Sequence, residues 1–315
     1  MTDVFLIVLP VFLVLAAGYG LVRSGWLDGG VADHLNVYSV RLGVPVFLFA
    51  AMVKVDLGRA FDARMLAGFY LGAVACFVTG ALIAALVWKL RPGEAVSIGF
   101  TAMFSNTVLL GLPILERAYG PDALTPAFGI VALHAPGLYA LGIITMELVR
   151  RDGKTIAGAL AAALRAILGN ALMIGILAGL AVNLSGLALP APVMAAFAMV
   201  AASAVPVALI GIGAALTRYS LKAGLSETLI LSALPLVLHP LVAFLVTHVL
   251  FGLGEGLVSA AVVIAAMPPG MNTYVFAVLY GRGEKQAAST ILVATMLSVI
   301  TIPLWLMLLR SVFAA

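Results

Sequence analysis

Charged side chains are scarce in this chain. Only 10% of the 315 residues are Asp, Glu, Lys or Arg, and 64% are hydrophobic. Soluble domains instead have about 25% charged and about 45–50% apolar residues. So few charges cannot cover a soluble surface, which argues against a soluble enzyme or binding domain. Together with a mean hydropathy of +1.20, this composition predicts an integral membrane protein.

Cysteine is almost absent as well. Cys76 is the single cysteine, which excludes an internal disulfide and a cysteine-rich metal site. Basic residues exceed acidic ones, giving a net charge of +4, but they lie singly between apolar runs. They form no basic patch, so we expect the chain to bind a lipid bilayer and no nucleic acid.

Apolar runs, separated by Gly, Pro and charged residues, predict an all-α membrane protein with ten spans and one domain over residues 1–315. The predicted spans are 4–22, 33–53, 65–89, 95–117, 123–149, 163–183, 192–216, 227–250, 257–280 and 285–310. If the N-terminus lies outside, the inner loops hold eleven of the seventeen Lys and Arg residues. The positive-inside rule therefore predicts that both termini lie outside the cell.

The two halves of the chain resemble each other at a constant offset of 161 residues. This offset aligns "VPVFL" (44–48) with "VPVAL" (205–209), and Tyr119-Gly120 with Tyr280-Gly281. Each half has five spans, an odd number, so repeat 2 (163–315) is predicted to insert upside down relative to repeat 1 (1–150). Chance matching in a chain rich in Gly, Ala and Val is the alternative, which a shared offset disfavours.

Two helix-breaking clusters lie at corresponding places in these repeats. They are "SNTVLLGLPILERAYG" (105–120) and "AAMPPGMNTYVFAVLYG" (265–281). Pro and Gly interrupt helices, so the fourth and ninth spans are predicted to be broken near the membrane centre. Broken helices are tolerated there when the freed backbone groups find partners in protein or line a watery cavity. The alternative is that these prolines only kink packed helices.

The breaks predict a binding site for an anion. Asn106 with Thr107, and Asn272 with Thr273, are suited to cap a new helix start. Two half-helix N-termini would then face one central point, where their partial positive charge favours a carboxylate. The candidate residues of these clusters are Ser105, Asn106, Thr107, Pro113, Pro268, Pro269, Gly270 and Asn272.

Both clusters resemble motifs of the auxin efflux carrier family, whose bacterial branch is similar to the plant PIN transporters. "SNTVLLGLPILERAYG" resembles the fourth-helix pattern of that family, with Asn-Thr, Gly-x-Pro and a terminal Tyr-Gly. "AMPPGMNTYVFAVLYG" is similar to the ninth-helix Pro-x-Gly crossover, and "VPVALIGIGAAL" (205–216) is similar to the seventh helix. The resemblance covers essentially the full chain.

This resemblance implies a fold in which broken helices 4 and 9 cross, related to bile-acid symporters and sodium/proton antiporters. Helices 1, 2, 6 and 7 would form a scaffold and a homodimer surface, and helices 3–5 and 8–10 a moving transport domain. It implies elevator-type transport of a small organic anion across the bacterial inner membrane, with Asn106 contacting the substrate. Ser105 and Pro269 depart from the plant pattern, which favours small carboxylates such as malonate over auxin.

Two ionisable residues within predicted spans are further candidates for the site. Arg41, in span two, would pair with a substrate carboxylate, or it would snorkel to the surface or satisfy a carbonyl freed by Pro45. His134, in span five, would take up a proton near neutral pH, or it would be a neutral core histidine. The sequence leaves both choices open.

Missing motifs argue against several other classes of function. No metallohydrolase, serine-nucleophile or paired intramembrane Asp motif is present, so we expect no enzyme activity, no metal and no cofactor. No Asp or Glu lies near the crossovers, which disfavours a carboxylate-based antiporter. A sodium-coupled, bile-acid-type symporter and a ligand-binding membrane sensor remain alternatives, and uniport and proton coupling are both open.

Overall fold

The computed structural model describes residues 2–150, 168–219 and 224–314, together with 158, 161, 164 and 165. Helices make up the regular structure of these residues. The predicted joint between the repeats, at 150–165, lies almost wholly outside the described residues. So do Arg151, Lys154 and Lys222 of the predicted inner loops.

The main helices are numbered here in chain order. They are α1 (Thr2–Arg23), α2 (Gly29–Lys54), α3 (Ala63–Val87), α4 (Pro92–Met103), α5 (Leu112–Tyr119), α6 (Leu124–Arg150), α7 (Ala171–Ser185), α8 (Ala191–Leu216), α9 (Leu225–Leu250), α10 (Glu255–Ala265), α11 (Asn272–Tyr280) and α12 (Glu284–Phe313). A π-helical turn, Thr107–Gly111, leads into α5.

Seven helices of the described residues are long and apolar enough to cross a membrane. They are Val4–Arg23, Gly29–Lys54, Ala63–Val87, Pro121–Val149, Ala191–Leu216, Leu225–Leu250 and Glu284–Phe313. Their outer faces carry exposed apolar side chains, such as Leu86 at 71% and Met199 at 78%. Water disfavours such a surface and lipid tolerates it. The prediction of an all-helical, multi-pass membrane protein is confirmed.

Polar residues between the spans start several of these helices. The side chain of Asp62 accepts hydrogen bonds from the backbone N–H groups of Arg64 and Met65, both at 2.9 Å. Partial burial raises the pKa of Asp62, but these bonds outweigh it and hold that pKa below its usual value. At the start of α4, the Arg91 N–H donates to the Glu94 side chain and Pro92 is the first helical residue.

The helices pack in two groups. In the first group, α1 packs against α8, α7 packs against α2, and α2 packs against α8. In the second group, α3 packs against α4 and α9, α9 packs against α10 and α12, and α4 packs against α6. Contacts between the groups are fewer, and many of them involve α1, which touches α5 and α12.

Glycines bring the helices of the first group close together. A Cβ atom at Gly18 would overlap the carbonyl oxygen of Ile210, and one at Gly179 would lie 2.6 Å from the carbonyl oxygen of Phe49. The α1–α8 and α2–α7 contacts therefore depend on the absence of a side chain. Asn183 adds a polar contact, because its amide nitrogen lies within 3.0 Å of three carbonyls at the end of α2. The Met52 and Val53 carbonyls have no partner within α2, and Val55 lies just beyond its end.

Candidate functional site

Two helices, α4 and α10, end side by side, and the segments that follow them, 104–106 and 268–270, pair with each other; this paired region is called the crossing below. After α4 and α10 end, Ser105 and Pro269 form an antiparallel bridge. The Asn106 N–H donates to the Pro268 carbonyl at 2.8 Å, and the Gly270 N–H donates to the Phe104 carbonyl at 3.0 Å. Backbone groups released by the ended helices thus satisfy one another, as an apolar environment requires.

A new helix starts directly after the crossing. The first bond of the π-helical turn runs from the Gly111 N–H to the Asn106 carbonyl, at 3.1 Å. The amides of residues 108–110 precede this bond, so they have no partner within their own helix. Val108 and Leu109 line a cavity beside the crossing, and the start of this helix therefore borders that cavity.

The expected capping bonds are not found, which corrects the sequence interpretation. Asn106 occupies the N-cap position of the π-helical turn, but its side chain makes no capping bond. Met271, not Asn272, is the N-cap of α11, and the Thr273 hydroxyl donates instead to the Gly270 carbonyl at 2.9 Å. The pairing of the two crossing strands fixes where the new helices begin. The side-chain amides of Asn106 and Asn272 consequently border the cavity without bonds to described residues.

The cavity has a volume of about 100 Å³ and lies between the crossing and the first helix group. Its walls come from the crossing, from α6 and from α2, α7 and α8. The polar residues that line it are Asn36, Ser39, Ser105, Asn106, Thr107, His134 and Asn272. No Asp, Glu, Lys or Arg is among its described lining residues. The cavity is therefore lined mainly by apolar side chains, with a few uncharged polar groups among them.

Two buried histidines lie at the crossing. His239, on α9, has its Nε2 at 3.0 Å from the Phe69 carbonyl and its Nδ1 at 3.2 Å from the Ser105 hydroxyl. His134, on α6, is 3% exposed, and its ring nitrogens make no hydrogen bond of good geometry with a described residue; the Ser105 backbone is a partner of poor geometry near the ring. Its ring packs edge-on against Phe104, with 4.5 Å between the ring centres.

The structure brings six of the ten predicted residues to the cavity wall: Ser105, Asn106, Thr107, His134, Gly270 and Asn272. The other four lie elsewhere. Pro268 and Pro269 are buried in the crossing strand, and Pro113 lies in the first turn of α5. Arg41 is exposed and borders a separate shallow depression with Pro45 and Ala171, so it does not reach the cavity.

Three residues of this region were not among the predicted site residues. Asn36 and Ser39 line the cavity from α2, and the Asn36 amide also donates to the Gly211 carbonyl at 3.2 Å. Asn36 and Ser39 are uncharged polar residues inside an apolar span, and this feature could have identified them. His239 gave only the weak signal of a histidine beside a proline.

Groups of three or more His, Cys, Asp or Glu that could hold a metal ion do not occur among the described residues. The polar atoms around the cavity are amides, hydroxyls and one imidazole. Such a set can donate hydrogen bonds to a small anion and can accept a proton at the imidazole.

Comparison with known proteins identifies the family. The family model described as "Membrane transport protein" matches residues 3–306. The chain is 27% identical to a "Putative malonate transporter" of Rhizobium meliloti, over 99% of this chain and 97% of the relative. It is 26% identical to an "Uncharacterized transporter" of Methanothermobacter thermautotrophicus, over 95% of this chain and 96% of the relative. The chain therefore belongs to the membrane transport protein family, the auxin efflux carrier family that its motifs resemble.

Proposed function

We propose that the protein is a secondary transporter that carries small organic anions, chiefly carboxylates, across the cell membrane. The observation that carries this proposal is the cavity beside the pairing of Ser105 with Pro269, where Asn106, Thr107 and Asn272 are among the few polar residues of a mostly apolar lining. Helix starts attract anions through their unbonded N–H groups and their partial positive charge. Asn106, Thr107 and Asn272 would add side-chain donors to a bound carboxylate.

The size of the cavity favours small substrates. An enclosed apolar cavity of about 150 Å³ is large enough to hold benzene. A site of about 100 Å³ suits a short carboxylate better than an acid with a fused ring system such as auxin. The relative whose description names malonate agrees with a short dicarboxylate.

We further propose that the fold is a ten-span inverted repeat. Helices α2 and α8 occupy 29–54 and 191–216, a separation of 162 residues at both ends. Gly18 approaches Ile210, and Gly179 approaches Phe49. Gly179 lies 161 positions after Gly18, and Ile210 lies 161 positions after Phe49. A two-fold relation between the repeats would therefore convert one contact into the other. These matched contacts support the repeat.

An elevator motion fits the two packing groups. Helices α1, α2, α7 and α8 would be the fixed scaffold and the homodimer surface, and the second group with the crossing would be the moving transport domain. The cavity lies where these groups meet, with Asn36 on one side and Asn106 on the other. Sliding of one group past the other would open the site to each membrane face in turn. We place both termini outside, as the distribution of basic residues favours.

The proposal is tested by uptake of radiolabelled malonate, succinate and pyruvate into proteoliposomes, with and without a sodium gradient. Saturable uptake of at least one acid is expected. Asn106→Ala should lower the affinity of the carrier by about tenfold or more, because a hydrogen bond to a charged group contributes about 1.5–3 kcal/mol. The matched control is Asn170→Ala, which removes a helix cap outside the cavity.

The outcomes separate the alternatives. Uptake that requires a sodium gradient would indicate a sodium-coupled symporter. Acids that raise the melting temperature of the purified protein but never enter the vesicles would indicate a sensor. Equal effects of Asn106→Ala and Asn170→Ala would remove Asn106 from the site.

A further inference from the structure

His134 is a buried titratable group in the wall of the cavity. It lines the cavity while being 3% exposed, and both of its ring nitrogens lack a partner of good geometry among the described side chains. Buried polar atoms are nearly always hydrogen-bonded in folded proteins. The Ser105 backbone is the one described hydrogen-bond partner near the ring, and its geometry is poor. The imidazole is therefore available for a better hydrogen bond to whatever fills the cavity.

We propose that His134 binds a proton together with the transported anion, so that one carrier-borne proton crosses the membrane with each anion. This inference rests on the proposed transport function and names the coupling ion of the same site. It requires no chemistry other than proton binding. The proton comes from the water on the side where the anion binds and leaves on the other side with the anion.

Few titratable groups surround His134. The titratable groups near it are His239 on α9, Tyr70 on α3 and Tyr139 on its own helix α6. The Tyr70 hydroxyl already donates to the Ile130 carbonyl at 2.7 Å. No Asp, Glu, Lys or Arg is among the described residues that line the cavity.

A lone charge in such a site is unfavourable. An imidazolium without an anion would be a buried, unpaired charge, and so would a carboxylate without a counter-charge. An imidazolium beside one carboxylate forms a neutral, hydrogen-bonded pair. The second carboxylate of a dicarboxylate such as malonate would face the unbonded N–H groups at the start of the π-helical turn and the Asn106 amide. The carrier would therefore cross the membrane loaded with both species or with neither.

His239 does not offer the same opportunity. Its Nε2 donates to the Phe69 carbonyl, and its Nδ1 is occupied by the Ser105 hydroxyl. A second proton at Nδ1 would force the Ser105 hydroxyl to turn from donor to acceptor. Of the two buried histidines, only His134 lacks two well-formed hydrogen bonds to its ring nitrogens.

The test measures the final accumulation of malonate in proteoliposomes whose membrane potential is clamped with potassium and valinomycin. A proton gradient of about one pH unit, acid outside, corresponds to about tenfold in concentration for each proton that moves with the anion. His134→Gln keeps a polar side chain that cannot take up a proton. We expect its final accumulation ratio to be about tenfold lower than that of the wild type, by the same relation.

Final accumulation is independent of rate, so a slow variant still gives an answer. His248→Gln is the matched control, because His248 also has a buried, unpartnered ring nitrogen but lies between Phe244 and Phe313, outside the cavity. A pH-sensitive dye trapped inside wild-type vesicles gives a reading that needs no variant. Addition of malonate should acidify the interior.

The results distinguish this inference from the proposed function. Malonate uptake with the same accumulation in wild type and His134→Gln, and without interior acidification, would overturn the coupling and leave the transporter intact. Failure of every tested acid to enter would overturn the proposed function and the coupling with it. A loss of accumulation in His248→Gln equal to that in His134→Gln would also count against the role of His134.

Discussion

The hydroxyl of Ser105 lies 3.2 Å from Nδ1 of His239, and this contact joins the crossing to α9. On the other side of the ring, Nε2 lies 3.0 Å from the Phe69 carbonyl, which can only accept a hydrogen bond. Nε2 therefore carries the hydrogen of the neutral ring, and Nδ1 accepts from Ser105. One hydrogen-bonded chain thus runs from the crossing through α9 to α3.

Removing the Ser105 hydroxyl should destabilise the crossing. In Ser105→Ala, Nδ1 of a fully buried His239 would lose its donor, which is expected to lower the free energy of unfolding by about 1–3 kcal/mol. Denaturant unfolding in detergent, followed by circular dichroism, measures this change. Ser311→Ala is the control, because that hydroxyl is exposed and bonds within its own helix. Equal stability of the two variants would show that the Ser105 contact contributes nothing.

Two glycines of α1 give a direct test of the close helix packing. A Cβ at Gly18 would overlap the backbone of Ile210, whereas a Cβ at Gly20 meets nothing within 4 Å. Gly18→Ala is expected to lower the free energy of unfolding by about 1–3 kcal/mol, because α1 and α8 must separate. Gly20→Ala should be neutral or stabilising by up to about 1 kcal/mol, through helix propensity.

The comparison is made within one helix, so effects of the membrane environment are nearly matched. Melting temperatures in the same detergent are sufficient to rank the two variants. If Gly18→Ala were as stable as Gly20→Ala, the helices would not approach as closely as the structure describes.

Sequence was sufficient for the class of protein, and the place of the site stays a prediction. Composition and apolar run length are additive properties, so they predicted a helical membrane protein without any tertiary information. Pro268, Pro269 and Gly270 act on the backbone locally, so they led us to expect a helix interruption near 266–271; the broken spans stay a prediction. The family resemblance, carried by the same residues, is confirmed by the match over residues 3–306. The ten-span inverted repeat stays a prediction.

Contacts between residues that are far apart in the sequence could not be predicted. Ser105 and His239 are separated by 134 positions, and nothing local marks them as a pair. The helix starts were placed by capping propensity, but the pairing of the crossing strands determines them instead. A charge within an apolar span predicted a functional role for Arg41. The packing of α2, which the sequence does not show, places Arg41 away from the cavity.

Asn183 should be important for the junction between α2 and α7. Its amide nitrogen lies 3.0, 3.0 and 2.9 Å from the carbonyl oxygens of Met52, Val53 and Val55. Asn183→Ala leaves these carbonyls without that donor and is expected to lower the free energy of unfolding by about 1–3 kcal/mol. Asn183→Asp has the same shape but brings a negative oxygen toward the carbonyls, so it should be at least as destabilising at neutral pH.

The same measurement at acidic pH provides the control for Asn183→Asp. Protonation restores a donor to the carboxyl group, so the stability lost by this variant relative to wild type should shrink as the pH falls. Asn183→Ala has no group to titrate and should keep a constant deficit. An Asp variant as stable as wild type at neutral pH would contradict the role of the amide as a donor.

Access of water to the cavity can be tested by cysteine labelling, because the chain has a single cysteine, Cys76, whose side chain is buried. Ala135 lines the cavity beside His134, and Ala135→Cys should react with a small methanethiosulfonate reagent much faster than the wild-type protein does. Malonate bound in the cavity should slow this reaction by about tenfold when its concentration is about ten times its Kd, since only the unliganded fraction reacts.

Ser311→Cys is the matched control for protection. Ser311 is exposed near the end of α12, and its labelling should be rapid and indifferent to malonate. Labelling of Ala135→Cys at the slow rate of wild type would mean that water does not reach the cavity. Rapid labelling that malonate leaves unchanged would mean that the anion binds elsewhere. Protection at Ala135→Cys alone is the result that the geometry at Asn106 and His134 predicts, because both residues border the same small volume.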